Sequence, residues 1–386
     1  MPMSDSQALS LLGGPLHRLG RRLGLVRGAA NSIPLGLVLG VGAWVVVVTL
    51  AMAEGHGQRI FSLSTIAGHV RLLLVIPLCF VCETWVDPRM RAFVDTIVGS
   101  KVVPEVARPA LDSEVARTVR WKDSWIPDVA CLVAVVLWSR FGSALAMKGA
   151  SSAFVPSGST EAMALAGRWY WFVCLPLFRF LLLRWLLRLG LWSRFLWRVS
   201  RLELHLVPTH PDGAAGLGYL EVTQAHFMPL VLAFAALQSA AFAEEISSGT
   251  TVFEAIYPGV VVILIVLVVL FIGPAFVFLP KLWGCRVKGL SDYMEFASNY
   301  VSGFDRKWLS STTPLNEPLL GTADLQSLAD LGNSVKAVRD MRVVPVTLRL
   351  LRDIVIVALL PMLPLLLLKY PIADLAKKLF EKLVGV

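Results

Sequence analysis

Six stretches of this chain, at 33–53, 62–84, 127–147, 163–187, 219–243 and 254–280, are each long and largely apolar. Coiled as a helix, about 20 such residues reach across the hydrocarbon of a bilayer. Only a helix or a closed barrel satisfies its own backbone where water is absent, and runs of this length select the helix. The pattern therefore predicts an all-α fold, a polytopic transmembrane helix bundle. A seventh stretch, 346–369, is weaker. Its clean apolar part runs from Ile354 to Leu368 and contains Pro361 and Pro364, which predicts a kinked crossing or a re-entrant piece. Charged residues make up 16% of the chain, against about 25% in soluble domains.

The positive charges follow the same alternation. The N-terminal arm, the 88–126 loop, the 188–218 loop and the 281–352 segment together hold 25 Lys and Arg, and the intervening connections hold only Arg59 and Lys148. By the positive-inside rule the N-terminus and the three long connections are expected in the cytoplasm. The net charge of +9 is thus read as topology, and nucleic acid is not an expected partner. Glu54, Glu161, Glu244, Glu245 and Glu254 crowd the opposite ends of the helices. Trp125, Trp169, Trp171, Trp185 and Trp192 are expected near the interfaces.

This reading divides the chain into four parts: a basic arm at 1–32, a bundle at 33–280, a cytoplasmic helical segment at 281–352, and a C-terminal membrane segment with an amphipathic helix at 353–386. Arg18, Arg21, Arg22 and Arg27 precede an apolar run ending in Ala51-Met52-Ala53, which mimics a signal-peptidase site. The run from Ile33 is longer than a signal core and is read as a retained first helix. In "GTADLQSLADLGNSVKAVRDM", Thr322 is expected to cap a helix, Gly332-Asn333 to stop it and Ser334 to start the next. The tail "IADLAKKLFEKLVGV" sets Lys377, Lys378 and Lys382 opposite an apolar face, as in helices lying in a headgroup plane. Its lysines favour the cytoplasm, whereas seven crossings would put it outside. The five cysteines imply no disulfide framework, and Cys79-x-x-Cys82 within an apolar run reads as core packing.

Two constellations could carry chemistry. His69, Arg71, Arg140, Arg168 and Arg179 fall inside predicted spans, where an arginine costs at least about 2.5–3.5 kcal/mol and needs a partner or a wet cavity. With Glu244, Glu245 and Glu254 at the outer mouth they would line an anion pathway, or else form buried pairs that fix helix register. The second is "HLVPTHPDGAAGLG" at 205–218. Arg194, Arg198, Arg201 and His205 at helical spacing would bring a positive face beside a glycine-rich helix start at Gly213 and Gly216, a place for a phosphate or lipid headgroup. The same residues make good turn chemistry. His205, His210, Asp212 and His226 are weak metal candidates, because no geometry-fixing spacing accompanies them. Neither a G-x-S-x-G nor a P-loop occurs, so no catalytic residue is assigned and no cofactor is expected.

At "HPDGAAGLGYL" (210–220), "GTADLQSLADLGNSVKAVRDMRVVPV" (321–346) and the proline-punctuated C-terminal segment, the chain resembles a group of uncharacterised bacterial multi-pass inner-membrane proteins. The resemblance spans most of the length. It implies a bacterial inner membrane and transfers no catalytic or binding residue. Besides a membrane enzyme using the His205, His210, Asp212 and His226 cluster, two functions are expected to compete: a channel or transporter-like pathway for an anion or small acidic solute, and a non-transporting scaffold or sensor. In the scaffold or sensor, the basic cytoplasmic side binds anionic lipid headgroups or a partner protein. Self-association as a homo-oligomer is compatible with either.

Overall fold

The structure is a computed structural model that describes residues 9–10, 13, 15–26, 31–141, 165–310 and 323–369. Among these residues the chain is predominantly helical, with no strand. Four helices are long and apolar enough to cross a membrane: Ile33–Ala53, Leu63–Gly99, Tyr219–Ser247 and Phe253–Trp308. The expected Thr322 cap, Glu161, Lys148 and the amphipathic tail lie outside the described residues, as does the side chain of Arg140.

A short α1 (Pro15–Arg22) precedes α2 (Ile33–Ala53), which packs along α3 (Leu63–Gly99). That contact is close because two glycines on one face of α2 remove side chains from it. A Cβ at Gly36 would meet the Phe80 ring, and one at Gly40 would meet the Leu72 carbonyl and Pro77. Small residues four apart are how apolar helices come together without a hydrophobic drive between them.

The second expected span ends at 84, but α3 continues to Gly99. Val86, Met90, Phe93, Val94 and Ile97 extend its buried stripe at three- and four-residue spacing, and that packing holds the helix through Pro88. Residues 88–99 are therefore helix and not loop. α4 (Arg108–Asp123) and α5 (Trp125–Phe141) follow, both packed on α6 at 165–199. As expected, α6 runs on beyond 187. It stops at Val199, so Arg201 and His205 leave the helical face on which the spacing had put them with Arg194 and Arg198. A second correction concerns Trp185 and Trp192, which lie in the core and not at an interface. Trp192 stacks on Phe195 and meets Phe93 edge-on, because α3 and α6 need large rings to fill the space between them.

Then come α7 (Tyr219–Ser247), interrupted at His226-Phe227, and α8 (Tyr257–Ile272), which is joined by a 3-10 turn at Gly273–Phe278 to α9 (Leu279–Trp308). α9 forms a hairpin with α10 (Ala323–Asp340). Gly332-Asn333 does not stop α10. Leu328, Leu331, Val335 and Val338 keep a continuous stripe half-buried or buried, and this packing outweighs the roughly 1 kcal/mol that a helical glycine costs. Asp324 in the first turn of α10 ties the hairpin by accepting from Lys307 (2.8 Å) and Trp308 (3.1 Å).

The weak seventh stretch forms α11 (Leu348–Leu359), a 3-10 turn at Leu360–Leu365 and a last helical turn at Leu366–Lys369, packed on α7 and α8. At its start Thr347 bonds Glu221, and at its finish Lys369 pairs with Glu254, just ahead of α8. The segment therefore runs antiparallel to α8 along its whole length. The two ends of the bundle are held separately. At one end His205 N–H bonds Val102 O (2.7 Å), and Arg342 N–H bonds Gly213 O (2.8 Å). At the other, Glu54 accepts from the N–H groups of Leu165 (2.6 Å) and Ala166 (3.3 Å). Val261, Val262, Ile265, Val266 and Val269 of α8 stand exposed as a continuous aliphatic face compatible with burial in a bilayer.

Candidate functional site: charges inside the helix bundle

The segment "CETWVD" sets Glu83 and Asp87 four residues apart on one face of α3, and "RWLLR" sets Arg184 and Arg188 likewise on α6. The two faces meet. Arg188 donates to Glu83 at 2.8 Å, with the two side chains only 7% and 5% exposed, and its guanidinium lies 5.4 Å from the Trp185 ring centre. Asp87 accepts from Arg91 (2.8 Å) and from the Ser10 hydroxyl (2.9 Å). Arg184 stands 3.9 Å from Asp128 on α5 and donates to the Gly13 carbonyl. Four parts of the chain, α3, α5, α6 and the segment ahead of α1, are thus joined by one set of charges. The cavity beside Glu83, Asp87 and Arg188 measures about 10 Å³, the lower limit for a single water. On α1, burial pushes His17 below its ordinary value of 6.5. Arg21 and Arg184 act in the same direction, and Glu83 opposes them.

Sequence reasoning missed Glu83, Asp87 and Arg184, and counted Arg188 as a loop cation. A legible signal existed: two apolar stretches each carry a like-charged pair at i and i+4, with opposite signs on the two stretches.

Nearer the other end of the bundle, Arg71 and Tyr170 each open a π-helical turn, at Arg71–Val75 and Tyr170–Cys174. The Arg71 guanidinium donates to the Tyr170 hydroxyl at 2.7 Å and lies 5.9 Å from the centre of Phe178. A π turn inserts a residue into the helical ladder, re-aiming the side chains beyond it, and such turns recur at functional positions. Glu244, 6% exposed, accepts from the Ala67 N–H (2.9 Å), and its second oxygen has no partner among the described residues. His69 is held between Trp44 Nε1 (2.8 Å) and the Ile60 carbonyl (2.6 Å). Arg179 donates to Ser139 (2.9 Å) and covers Trp138, whereas Arg168 is exposed. Glu245 is half-buried beside Glu244, and Glu254 is held by Lys369. Twelve residues of α3, about 18 Å, separate Arg71 from Glu83, and buried Leu72, Val75, Ile76 and Cys79 occupy that interval.

The 205–218 stretch folds around its own aspartate. Asp212 accepts from the N–H groups of Ala214 (2.8 Å), Gly216 (3.1 Å) and Gly218 (2.7 Å), and His210 Nδ1 lies 2.9 Å away. Partial burial works against ionisation of Asp212, but those four contacts prevail and hold the carboxyl below its ordinary value of 3.8. The amides that a bound anion would need are thus already holding a carboxylate. Gly213 and Gly216 have φ of +64° and +97°, and both serve this loop. Arg342 clamps it, donating to the Asp212 carbonyl (2.7 Å) and to Glu221 (2.8 Å). Arg194 is exposed, and Arg198 and Arg201 both lie over Trp197. His226 bonds Arg89 (3.1 Å) and the Val222 carbonyl. Among the described residues no three His, Cys, Asp or Glu side chains gather as a metal-ligand set.

Comparison with family models, curated proteins and solved structures returns no match to this chain.

Proposed function

We propose that the chain is a non-transporting scaffold or sensor of a bacterial inner membrane, with its N-terminus and basic connections in the cytoplasm. In this reading it has six crossings and a C-terminal seventh, and its basic face engages anionic lipid headgroups or a partner. The observation that carries this reading is the Glu83–Arg188 pair. It is a salt bridge within a nearly waterless contact, and it fixes the register of α3 against α6. Arg71 and Arg179 likewise each have a protein partner, so these arginines serve packing between helices. Seven crossings put Lys369 on the outer side, and the Lys369–Glu254 pair supports that assignment. The gathering of the basic connections at one end of the bundle supports the cytoplasmic assignment of that end.

The test is anion efflux from proteoliposomes containing the purified full chain and loaded with chloride, phosphate or a small dicarboxylate. Efflux equal to that of protein-free vesicles is expected. Efflux above that level that is altered by Arg71→Met would overturn the scaffold reading in favour of a pathway.

A further inference from the structure

At the end of the bundle where the basic connections gather, the last turns of α8, the Gly273–Phe278 turn, α9 and the 339–351 segment enclose an open cleft of about 1110 Å³. Part of its lining is hydrocarbon: Val268, Ile272 and Phe276, on the same helix and following turn as the exposed aliphatic residues of α8. Arg286, Arg339 and Arg349 line the same cleft. Arg342 also borders the cleft but is engaged by Glu221 and the Asp212 carbonyl. The other three are different. Arg286 donates only to the Arg339 backbone carbonyl, and no carboxylate of the described residues forms an ion pair with Arg286, Arg339 or Arg349. Asp340 is the single lining carboxylate not already paired, so the cleft stays positive. Leu348, 83% exposed, stands at its mouth.

We infer that this cleft holds an anionic glycerophospholipid, its phosphate against Arg286, Arg339 and Arg349 and its acyl chains along Val268, Ile272 and Phe276. Guanidinium groups grip phosphate through two parallel hydrogen bonds, which favours arginine here over lysine. A soluble anion would use the arginines but would leave the aliphatic lining, Leu348 and Phe276 uncovered; a lipid uses both. The inference rests on the membrane reading above and names the headgroup site for it. None of these three arginines belongs to the positive face that the sequence pattern singled out at 194–201.

The test is binding of fluorescent phosphatidylglycerol to the detergent-purified full chain, with competition by unlabelled phosphatidylglycerol, phosphatidylcholine or inorganic phosphate. At about a factor of five per basic residue near a phosphate, the double variant Arg339→Gln/Arg349→Gln is expected to bind about 30-fold more weakly. Arg306→Gln, toward the far end of α9, should bind as wild type. Phosphatidylcholine and inorganic phosphate should compete poorly. A photoactivatable phosphatidylglycerol should label wild-type peptides covering 268–276 or 339–351, a readout independent of whether the variants fold. Wild-type binding by the double variant, equal weakening by Arg306→Gln, displacement by phosphate at lipid-like concentrations, or labelling only elsewhere would each overturn the assignment. Retention of the chain in carbonate-washed membranes reads the membrane assignment separately.

Discussion

Glu83→Gln should be the most damaging small change in the bundle. The substitution keeps shape and volume but removes the charge facing Arg188, whose guanidinium is 2.8 Å from the carboxylate in a contact less than a tenth exposed. At an effective dielectric of about 20, unit charges about 4 Å apart attract by about 4 kcal/mol. Leaving one partner of a buried pair uncompensated costs about 3–5 kcal/mol. Asp87 and Asp128 do not replace the lost charge, because Asp87 already serves Arg91 and Ser10, and Asp128 faces Arg184. With an unfolding entropy of about 2.1 cal/mol/K per residue over the chain, the cost corresponds to a fall in Tm of roughly 4–6 °C. The assay is thermal unfolding of the purified protein in detergent, comparing wild type, Glu83→Gln, Arg188→Met and Glu83→Leu/Arg188→Met. Each single variant should fall by that amount. The double variant should recover most of it, since well-packed apolar residues replace a buried pair at little net cost. A single variant within a degree of wild type, or a double variant no better than the worse single, would refute the pairing argument.

Other outcomes follow from the same geometry. Asp212→Ala leaves three backbone N–H groups without their acceptor and should cost about 2 kcal/mol in unfolding measurements. Because the folded Asp212 carboxyl lies below its ordinary value of 3.8, its contribution is complete above that pH and is lost as pH falls through the folded value; Asp212→Asn should flatten that acid limb of the stability profile. Gly216→Ala should destabilise clearly more than Gly213→Ala: both have positive φ, at about 1–2 kcal/mol for an added Cβ, but only at 216 would the Cβ also collide with Val102. For sidedness, a cysteine replacing exposed Ser298 should react with an impermeant maleimide only in inside-out vesicles, and one replacing exposed Ser248 only in intact spheroplasts. The reverse pattern would invert the proposed threading.

The helical class and the approximate helix starts were legible because apolar length is a local property of the chain. The Gly36-x-x-x-Gly40 contact and the long reach of α6 were open to the same kind of reading. Where the expectations failed, a distant surface had decided the matter. α3 outlasts its apolar stretch because Val86, Met90, Phe93 and Ile97 find partners, and α10 passes through Gly332-Asn333 because α9 supports its other side. The spacing of Arg194, Arg198, Arg201 and His205 looked helical, yet the helix ends between the second and third of them.

The sequence by itself determined that long helices form and that positive charge alternates between their connections. Both follow from the cost of exposing backbone or guanidinium groups to hydrocarbon, and that cost depends only on which residues are consecutive. The tertiary structure decided which charges neutralise one another. Glu83 finds Arg188 across 105 positions, Arg342 is claimed by Glu221, and Arg286, Arg339 and Arg349 are left without a carboxylate partner in a cleft that Val268, Ile272 and Phe276 also line. An ion pair depends on separations of a few ångströms between helices, and no spacing along one strand of text specifies that distance.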